Sequence, residues 1–599
     1  MNARTKWNGA AWTAALLLAA NPASASIEAN PNCPDENVVF NPSNGEDVVL
    51  AKGFKIEVFA KGLNFPTGIS FRGNKNDFKV LVVESGTGLP SRCNNNNKNF
   101  TADNPFTPDL LVFDKNGRQI GGPRGKPGVS RNAFQPDGPA IGLAFERVFG
   151  GGTLFGTDSN QGVRGAPGDA NDTSRVVTVD PDADGGRGAV RTFIGGLPTG
   201  DHPTEQVLVK DGFVYWSQGS ATNSGVVGHD NGGTAGPNEH EIACQQITLS
   251  DNVFASGDHL TSGYSVHGRV RRGAIVPPFE DAKQAGMCTG AILRAPINVA
   301  HPETHVEPFS WGYRNPFGIR FPPKNHLLGD GLFVTENGED ERGARPTNNA
   351  PDRLQFARQN ADGSPDYHGW PDRFGFLDST QAIFDPQGGP ADDLGDAARG
   401  NPLTTPVRHV LAFPPQTPKA PLAIEPTDVA VVGPDFAPDS FVHGAVQRGA
   451  AVVAREGDFG FSTRNGTPIV GHDIELVNFS KRGQSLRLEL SRFAFNCRAG
   501  FQDHLPDGNA ACKSDLDQNT GQAFANGLRG INRPLTVMFG PDGALYLVDY
   551  GAVRDFGRSD PGQRFAVPAD APLVQIPHTG VIWKISSTER ARAPDEDDD

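Results

Sequence analysis

Short apolar or alternating stretches recur along the chain in pairs, and each pair is separated by a turn rich in Gly, Asp or Asn. Six segments share a Pro or His near the start, a first strand, the turn and a second strand that ends in acidic, polar or Gly residues. They are residues 65–84, 139–158, 201–220, 314–338, 426–447 and 533–552. In the last copy, residues 540–543 (Gly-Pro-Asp-Gly) suit the turn of a hairpin. The pattern predicts six β-hairpins.

Six hairpins with no helical stretch of comparable strength between them predict an all-β fold, a six-bladed β-propeller with long loop insertions. The copies are unevenly spaced, so the excess length is expected in insertions. These are residues 85–135, 221–313, 339–425 and 448–530. Insertions on one face of a rigid scaffold commonly form the rim of a binding site. Unrelated hairpins in a β-sandwich are the alternative architecture.

Composition supports a turn-rich β chain, with 73 Gly and 49 Pro spread along its length. Because no linker divides the sequence, residues 26–590 are predicted to form a single propeller domain. The formal net charge of −15 argues against nucleic acid and anionic membranes as partners. Residues 591–599 are predicted to be a disordered acidic tail.

The N-terminus has the pattern of a signal peptide. A short basic region precedes the apolar residues 10–20, and residues 23–25 (Ala-Ser-Ala) suit cleavage before Ser26. Residues 1–25 are therefore predicted to direct export to the periplasm or outside the cell. An ordinary hydrophobic N-terminal helix is the alternative. No stretch approaches the roughly 20 apolar residues of a membrane helix, so no membrane span is expected.

All six cysteines follow the predicted cleavage site, and none forms a Cys-x-x-Cys pair. In an oxidising compartment this usage favours disulfides over metal sites. Their clustering along the chain suggests three pairs: Cys33–Cys93, Cys244–Cys288 and Cys497–Cys512.

Polar residues gather where the third hairpin begins and ends. Residues 200–202 (Gly-Asp-His) open it, and His202 has the side chain best suited to accept a proton near neutral pH. A structural, hydrogen-bonded histidine is the competing interpretation. Residues 219–225 follow the second strand as a loop of small polar residues that could offer amide and hydroxyl groups to a ligand. A simple turn is the alternative there.

Charged residues flank the fourth and sixth hairpins. Residues 313–316 (Tyr-Arg-Asn-Pro) open the fourth, and residues 336–341 close it with Glu, Asp and Asn around Gly338. Such a cluster is typical of a site for a hard cation, although a charged surface loop would have the same composition. Residues 532–534 (Asn-Arg-Pro) open the sixth hairpin, where Arg533 would suit a ligand with a carboxylate.

These motifs, with residues 367–371 (Tyr-His-Gly-Trp-Pro), resemble the soluble glucose/sorbosone dehydrogenase family. Its members are six-bladed propellers that use pyrroloquinoline quinone (PQQ). The resemblance extends, with gaps, from about Gly53 to Ile585. It implies oxidation of a sugar or sugar aldehyde, with hydride transfer to calcium-bound PQQ and later reoxidation by an external electron acceptor.

The resemblance also implies roles for particular residues. His202 would be the general base and Asp201 would contact the substrate. Asn223 and Arg533 would bind PQQ, Arg533 through a carboxylate. Two backbone carbonyls, those of Gly338 and Glu339, would bind the calcium ion.

The chain departs from the family pattern at three places. Asp137 stands where close members have a substrate-binding Gln, so it is the candidate substrate contact. Leu535 replaces the second Arg of the last-hairpin motif. No Lys matches the one that bonds the quinone oxygen, and Arg448 lies in the corresponding region. A calcium-dependent propeller lactonase is one alternative, because a His and a channel cation would suit that reaction too. The missing Lys and Arg keep a second alternative open, a non-catalytic, carbohydrate-binding propeller.

Overall fold

The computed structural model describes most of the chain after residue 25. The described residues are 26–30, 33–40, 42, 44–45, 47–86, 105–122, 139–159, 173–182, 189–227, 240–256, 259–340, 343–347, 350–378, 383–384, 405–457, 471–496, 530–555 and 573–588. Within them the chain is almost wholly β. Two 3-10 helices, Pro302–His305 and Asp439–Phe441, are the exceptions. None of the described helices has the length and apolarity that crossing a bilayer requires.

Six sets of four antiparallel strands, which we call sheets I to VI, account for the main strands of the described chain. Sheet I contains Pro66–Asn74, Asp77–Glu84, Asp109–Asp114 and Gln119–Gly121. Sheet II contains Ala140–Arg147, Gly151–Asp158, Ser174–Asp180 and Ala189–Leu197. Sheet III contains Thr204–Lys210, Phe213–Gln218, Ala291–Pro296 and Glu307–Trp311, with Asp366–Tyr367 parallel at its edge. Sheet IV contains Asn315–Arg320, Leu332–Asn337, Arg353–Ala357 and Ala423–Ile424.

Sheet V contains Val431–Phe436, Ala451–Arg455, Asp473–Arg482 and Ser485–Asn496, with Val48–Leu50 at its edge. Sheet VI contains Pro534–Phe539, Leu545–Asp549, Gly580–Ser587 and Phe54–Leu63. Sheet VI thus takes its outer strand from the N-terminal part of the chain, and Ile56 pairs there with Ile585. Two-stranded ladders complete the described strands. They are Ser26–Asn30 with Cys33–Phe40, Ile247–Thr248 with Ile275–Val276, Phe254–Ser256 with His259–Thr261, Arg373–Phe374 with Leu377–Asp378, Ile383–Phe384 with Thr405–Pro406, and Val553–Asp555 with Leu573–Gln575.

Each main sheet is apolar on both faces because it packs between two neighbours. In the second strand of sheet I, Val80 and Val82 belong to a buried cluster with Ile582 of sheet VI. The alternate residues Leu81 and Val83 belong to a second cluster, with apolar residues of sheet II. A strand buried on both faces has a continuous apolar run rather than an alternating one. Residues 80–83 have that run.

Hydroxyl groups link neighbouring sheets by donating to first-strand carbonyls. In sheets II, III and IV, a second-strand hydroxyl donates to a first-strand carbonyl of the following sheet. The pairs are Thr157 to Glu205 at 2.5 Å, Ser217 to Phe317 at 3.0 Å and Thr335 to Val432 at 2.8 Å.

The linkage continues around the molecule until it closes. Gly433 of sheet V pairs with Thr536 of sheet VI, whose hydroxyl donates to the Thr67 carbonyl of sheet I at 2.8 Å. The Thr67 hydroxyl donates to the Ala140 carbonyl of sheet II at 2.7 Å. Buried carbonyls at the inner edges are satisfied in this way. The first strands therefore surround a common axis.

The predicted all-β, propeller-like architecture is confirmed. Strand pairing does not give the number of blades, because sheets V and VI form one continuous hydrogen-bonded sheet through the Gly433–Thr536 bridge. The number six therefore stays a prediction. The fifth hairpin was predicted wrongly. Its second strand is not within residues 426–447, where Asp439–Phe441 is a 3-10 helix after Pro438, but at Ala451–Arg455. The predicted tail and signal peptide lie outside the described residues.

Candidate active site

One end of the axis collects the polar residues that flank the hairpins. In every sheet the first strand begins, and the second strand ends, at this end, as the pairing of Thr204 with Gln218 and of Pro534 with Asp549 shows. We call this end the upper face. His202 lies there, before the first strand of sheet III, and Arg533 directly precedes the first strand of sheet VI.

Asp201 and His202 form an ion-pair-like contact. His202 Nε2 lies 3.3 Å from Asp201 Oδ2, and the His202 side chain is 19% exposed. The backbone N–H groups of both residues donate to the loop after the second strand, Asp201 to the Ala221 carbonyl at 3.0 Å and His202 to the Ser220 carbonyl at 2.9 Å. A carboxylate beside an imidazole orients the ring and stabilises its protonated form. The pair is a carboxylate-oriented imidazole whose ring is partly exposed, although the Nε2 atom that faces Asp201 is buried.

Arg314 connects this pair to sheet IV. Its buried guanidinium lies 3.7 Å from Asp201 Oδ2 and donates to Asp340 Oδ2 at 2.7 Å and to the Gly338 carbonyl at 2.5 Å. Its backbone N–H donates to Glu336 Oε1 at 2.9 Å. The sequence marks residues 313–316 as a motif, but gives no sign that Arg314 would bridge Asp201 to the turn of the next sheet.

The side-chain amide of Asn223 forms hydrogen bonds to the same turn, at Asp340. Its Nδ2 donates to the Asp340 carbonyl at 2.9 Å, and its Oδ1 accepts the Asp340 N–H at 3.0 Å. This reciprocal pair fixes the loop of residues 219–225 against sheet IV. Asn223 and Arg314 therefore both contact Asp340, and in this structure Asn223 positions the loop.

A buried carboxylate holds the loop from its other side. Glu241 accepts hydrogen bonds from the Thr222 N–H at 2.7 Å, the Thr222 hydroxyl at 2.6 Å and the Thr289 hydroxyl at 2.5 Å. Burial raises the pKa of Glu241 to about 7, although these bonds oppose the shift. The neighbouring Cys244 and Cys288 form a disulfide, so that predicted pair is confirmed. Cys93, Cys497 and Cys512, members of the other two predicted pairs, lie outside the described residues.

The Gly338 carbonyl, one of the two predicted calcium ligands, has another partner in this structure. The Gly338 carbonyl accepts from Arg314, and the Gly338 N–H donates to Asp352 Oδ1 at 2.6 Å. The Glu339 carboxylate lies 2.7 Å from the fully buried Arg353 guanidinium. Burial raises the pKa of the Glu339 carboxyl, and Arg353 opposes that shift. Because a guanidinium already occupies the Gly338 oxygen, this donor set does not fit a cation, and no step is derived from calcium.

Sheets V and VI bring further charges to the upper face. Arg533 Nη1 donates to the Gly457 carbonyl at 3.2 Å, and its backbone N–H donates to Asp549 Oδ1 at 2.8 Å. Beside it, Glu456 follows the second strand of sheet V. Burial raises the pKa of Glu456 to about 7, and the charge of Arg533 works against that rise. Glu456 escaped the sequence prediction because the second strand of this sheet had been placed too early.

Arg448, predicted to bind the cofactor, does not join this group. Arg448 lies in the connection between the first and second strands of sheet V, at the end of the axis opposite the upper face. Its side chain is 81% exposed and lies 3.4 Å from Asp439. The misplaced strand explains the error, since the end of the true second strand is Arg455, whose guanidinium lies 2.7 Å from Asp473. Asp137 lies outside the described residues.

The buried donors at the upper face suit an anionic, oxygen-rich ligand. Arg314 Nε and Asn532 Nδ2 are buried and have no acceptor among the described residues. Both adjoin residues of the group, since Asn532 precedes Arg533 and Arg314 contacts Asp201. Buried N–H groups without acceptors are uncommon in proteins. Carboxylate and carbonyl oxygens, which PQQ carries, would satisfy these donors, so the residues fit that cofactor although they do not fit the calcium ion.

Comparison with known proteins adds a structural likeness. No protein-family model and no curated protein sequence matches the chain. Solved structures do match, among them the following three. An oxidoreductase (glucose dehydrogenase) of Thermus thermophilus shares 15% identity, with coverage of 89% of this chain and 100% of the other and a TM-score of 0.42. The apo-form soluble aldose sugar dehydrogenase of Escherichia coli shares 12% identity, with coverage of 89% and 99% and a TM-score of 0.42.

A third structure, described as a glucose dehydrogenase, shares 12% identity, with coverage of 88% of this chain and 99% of the other and a TM-score of 0.43. The chain is similar in structure to soluble sugar dehydrogenases. At these identities the likeness concerns the fold, and residue roles must come from the site itself.

Proposed function

We propose that this protein is an exported, PQQ-dependent dehydrogenase that oxidises a sugar or a sugar aldehyde. The observation that carries the proposal is the Asp201–His202 pair, with its partly exposed imidazole, at the upper end of a propeller-like axis. Export, with residues 1–25 as signal peptide, is part of the proposal. So is an external electron acceptor.

His202 would remove the proton of the substrate hydroxyl. Its imidazole is exposed enough to meet a ligand, and Asp201 stabilises the positive charge that the ring gains. Arg314 in turn helps to hold Asp201 in place, because its guanidinium lies 3.7 Å from the carboxylate. The chain thus provides a base (His202), a carboxylate that orients it (Asp201) and a guanidinium in contact with that carboxylate (Arg314).

Arg533 and Asn532 would hold the carboxylates of PQQ, and Arg314 Nε would hold a further oxygen. When bound, PQQ supplies the two-electron acceptor for the hydride that the sugar loses. Asn223 and Glu241 would act on the cofactor only through the loop that they fix, since their own polar atoms bond to the protein.

Reconstitution tests the proposal. Purified protein is incubated with PQQ, with and without calcium, and dye reduction is followed with aldoses, sugar aldehydes and lactones. Sugar-dependent dye reduction that requires PQQ supports the proposal. Lactone opening without PQQ would favour a lactonase, and sugar binding without either reaction would favour a carbohydrate-binding propeller. Absence of PQQ binding at micromolar concentration would refute the cofactor assignment.

The His202→Ala variant tests the base. Positioned proton transfer contributes about 10²–10⁴-fold to rate, so kcat should fall by that factor while PQQ binding is retained. Because His202 is partly exposed and the hydrogen bonds of residue 202 given above are made by its backbone, the melting temperature should change little. Near-normal turnover in the variant would remove His202 from the mechanism.

A further inference from the structure

Glu205 is an acid at a position where the neighbouring sheets have apolar residues. The carbonyls of Glu205, Phe317 and Val432 each accept the second-strand hydroxyl of the preceding sheet, so the three residues are equivalent in their sheets. Phe317 and Val432 are buried and belong to one apolar cluster, which also includes Ile141 and Leu535. A buried carboxyl at this level of the axis is unfavourable to stability, so it calls for a functional explanation.

The Glu205 carboxyl is built to stay protonated. The residue is only 5% exposed, and its Oε2 has no partner among the described residues. Burial, with a smaller contribution from the negative charge of Glu456, raises its pKa to about 8. At pH 7 the group is therefore mainly a neutral acid that can give up a proton, as opposed to a carboxylate that accepts one.

The neighbours of Glu205 place it near the axis, below the upper face. Glu205 belongs to sheet III, whereas Glu456, whose charge it feels, belongs to sheet V. These sheets are separated by sheet IV in the ring, so their side chains meet only towards the centre. Gln206, the next residue of the strand, also lies near the centre of the ring, since its Nε2 donates to Thr536 Oγ1 of sheet VI at 3.0 Å. His202 precedes the same strand, three residues before Glu205.

We propose that Glu205 donates a proton to the bound quinone, and that it is the acid that complements the base His202. This inference rests on the proposed function and adds a second titrating residue to it. The sugar C–H bond breaks with its electron pair moving to the quinone as hydride, and the O–H proton moves to His202. The quinone, reduced by two electrons, takes its proton from Glu205. His202 later loses its proton to water, and Glu205 regains one from water.

The protonation state of Glu205 can be measured without the cofactor. Infrared difference spectra of wild type minus Glu205→Gln, recorded from pH 5 to 10, should show a carboxylic-acid C=O band that disappears near pH 8. Glutamine is neutral and close in shape to protonated glutamate, so the variant should fold. Glu57→Gln, an exposed acid on the outer strand of sheet VI, is the control and should leave this band unchanged.

Steady-state kinetics of the PQQ-loaded enzyme test the donor role. Glu205→Gln should lower kcat by about 10²–10⁴-fold, leave KM nearly constant and remove the fall of kcat above pH 8. Glu205→Asp should recover part of the rate, because it restores an acid. An unchanged kcat and pH profile in Glu205→Gln would overturn the proposal, and so would a C=O band that is already lost at pH 6.

The two arms separate this inference from the function on which it rests. An ionised Glu205 in an enzyme that still oxidises sugars overturns the donor role alone. A protonated Glu205 in a protein that reduces no dye with any sugar overturns the proposed function, and with it the donor role in that reaction.

Discussion

The backbone of Gly219 approaches His202 so closely that no side chain would fit between them. A Cβ added at Gly219 would lie 2.4 Å from both the Cβ and the carbonyl oxygen of His202. At this distance one backbone must move, and the base would move with it. The glycine is therefore a requirement of the site and not only of a turn.

Gly219→Ala should reduce turnover without abolishing folding. Displacement of a reacting group by about 1 Å can lower the rate by about 10²-fold, and overpacking destabilises proteins by about 1–3 kcal/mol. Measurement of kcat and of the melting temperature would show both effects. Gly195→Ala is a suitable control, because its added Cβ would lie 3.2 Å from the movable Thr192 Cγ2. Equal activity of the two variants would contradict the prediction.

At the scale of elements, the loop of residues 219–225 depends on a neighbour distant in sequence. Glu241 bonds to the loop and to Thr289, and each of these two residues is close along the chain to one half of the Cys244–Cys288 disulfide. The disulfide closes a sequence separation of 44 residues. The crosslink therefore supports the segment that fixes Asn223 beside Asp340.

Replacing both cysteines by serine should lower stability and loosen this loop. A native disulfide typically contributes about 2–4 kcal/mol, so the melting temperature should fall. Hydrogen exchange should increase at residues 219–225. Addition of a reductant should increase hydrogen exchange at these residues in the wild type. It should have no further effect on exchange in the Cys244→Ser/Cys288→Ser variant. Unchanged exchange in the double variant would show that Glu241 holds the loop without the disulfide.

The whole molecule carries buried acids whose folded pKa values are raised. Glu205 titrates at a pKa of about 8, and Glu241 and Asp352 titrate at about 7, in each case mainly because of burial. In the unfolded chain these groups titrate near their ordinary pKa values of 4.5 or 3.8. The folded state therefore binds more protons between about pH 4 and 8. Their contribution to stability is complete below the unfolded pKa and is lost as pH rises through the folded value.

The melting temperature should accordingly fall between pH 5 and pH 9. Glu205→Gln, which has no charge to bury, should be less sensitive to pH in this window, so its advantage over the wild type should grow with pH. Calorimetry of the two proteins across the range would measure this difference. Parallel curves would mean that Glu205 titrates alike in the folded and unfolded chains.

Ring closure is the second property of the whole molecule that can be tested. Phe54–Leu63 forms the outer strand of sheet VI, next to Gly580–Ser587. Deletion of residues 1–63 should therefore leave sheet VI with an exposed edge and greatly lower the yield of folded protein. Deletion of residues 591–599 is the control and should leave the melting temperature unchanged. A stable, monomeric protein without residues 1–63 would show that the strand is dispensable.

Local pattern was sufficient for most of the fold. The hairpins at residues 66–84 and 534–549 follow from apolar runs interrupted by turn residues, signals that lie within a few positions of one another. The fifth hairpin failed because residues 439–447 contain apolar residues that could form a strand. In the structure Pro438 and Asp439 begin a 3-10 turn, and residues 451–455 are buried as the strand instead.

The sequence by itself determined the β class, the pairing of neighbouring strands and the polar motifs at their ends, because each of these depends on residues close together in the chain. Only the tertiary structure decided which polar groups share the axis. Arg314 reaches Asp201, and the charge of Glu456 reaches Glu205, because the ring brings distant sheets together. Burial then sets the protonation of Glu205, since exclusion of water depends on all the surrounding sheets at once.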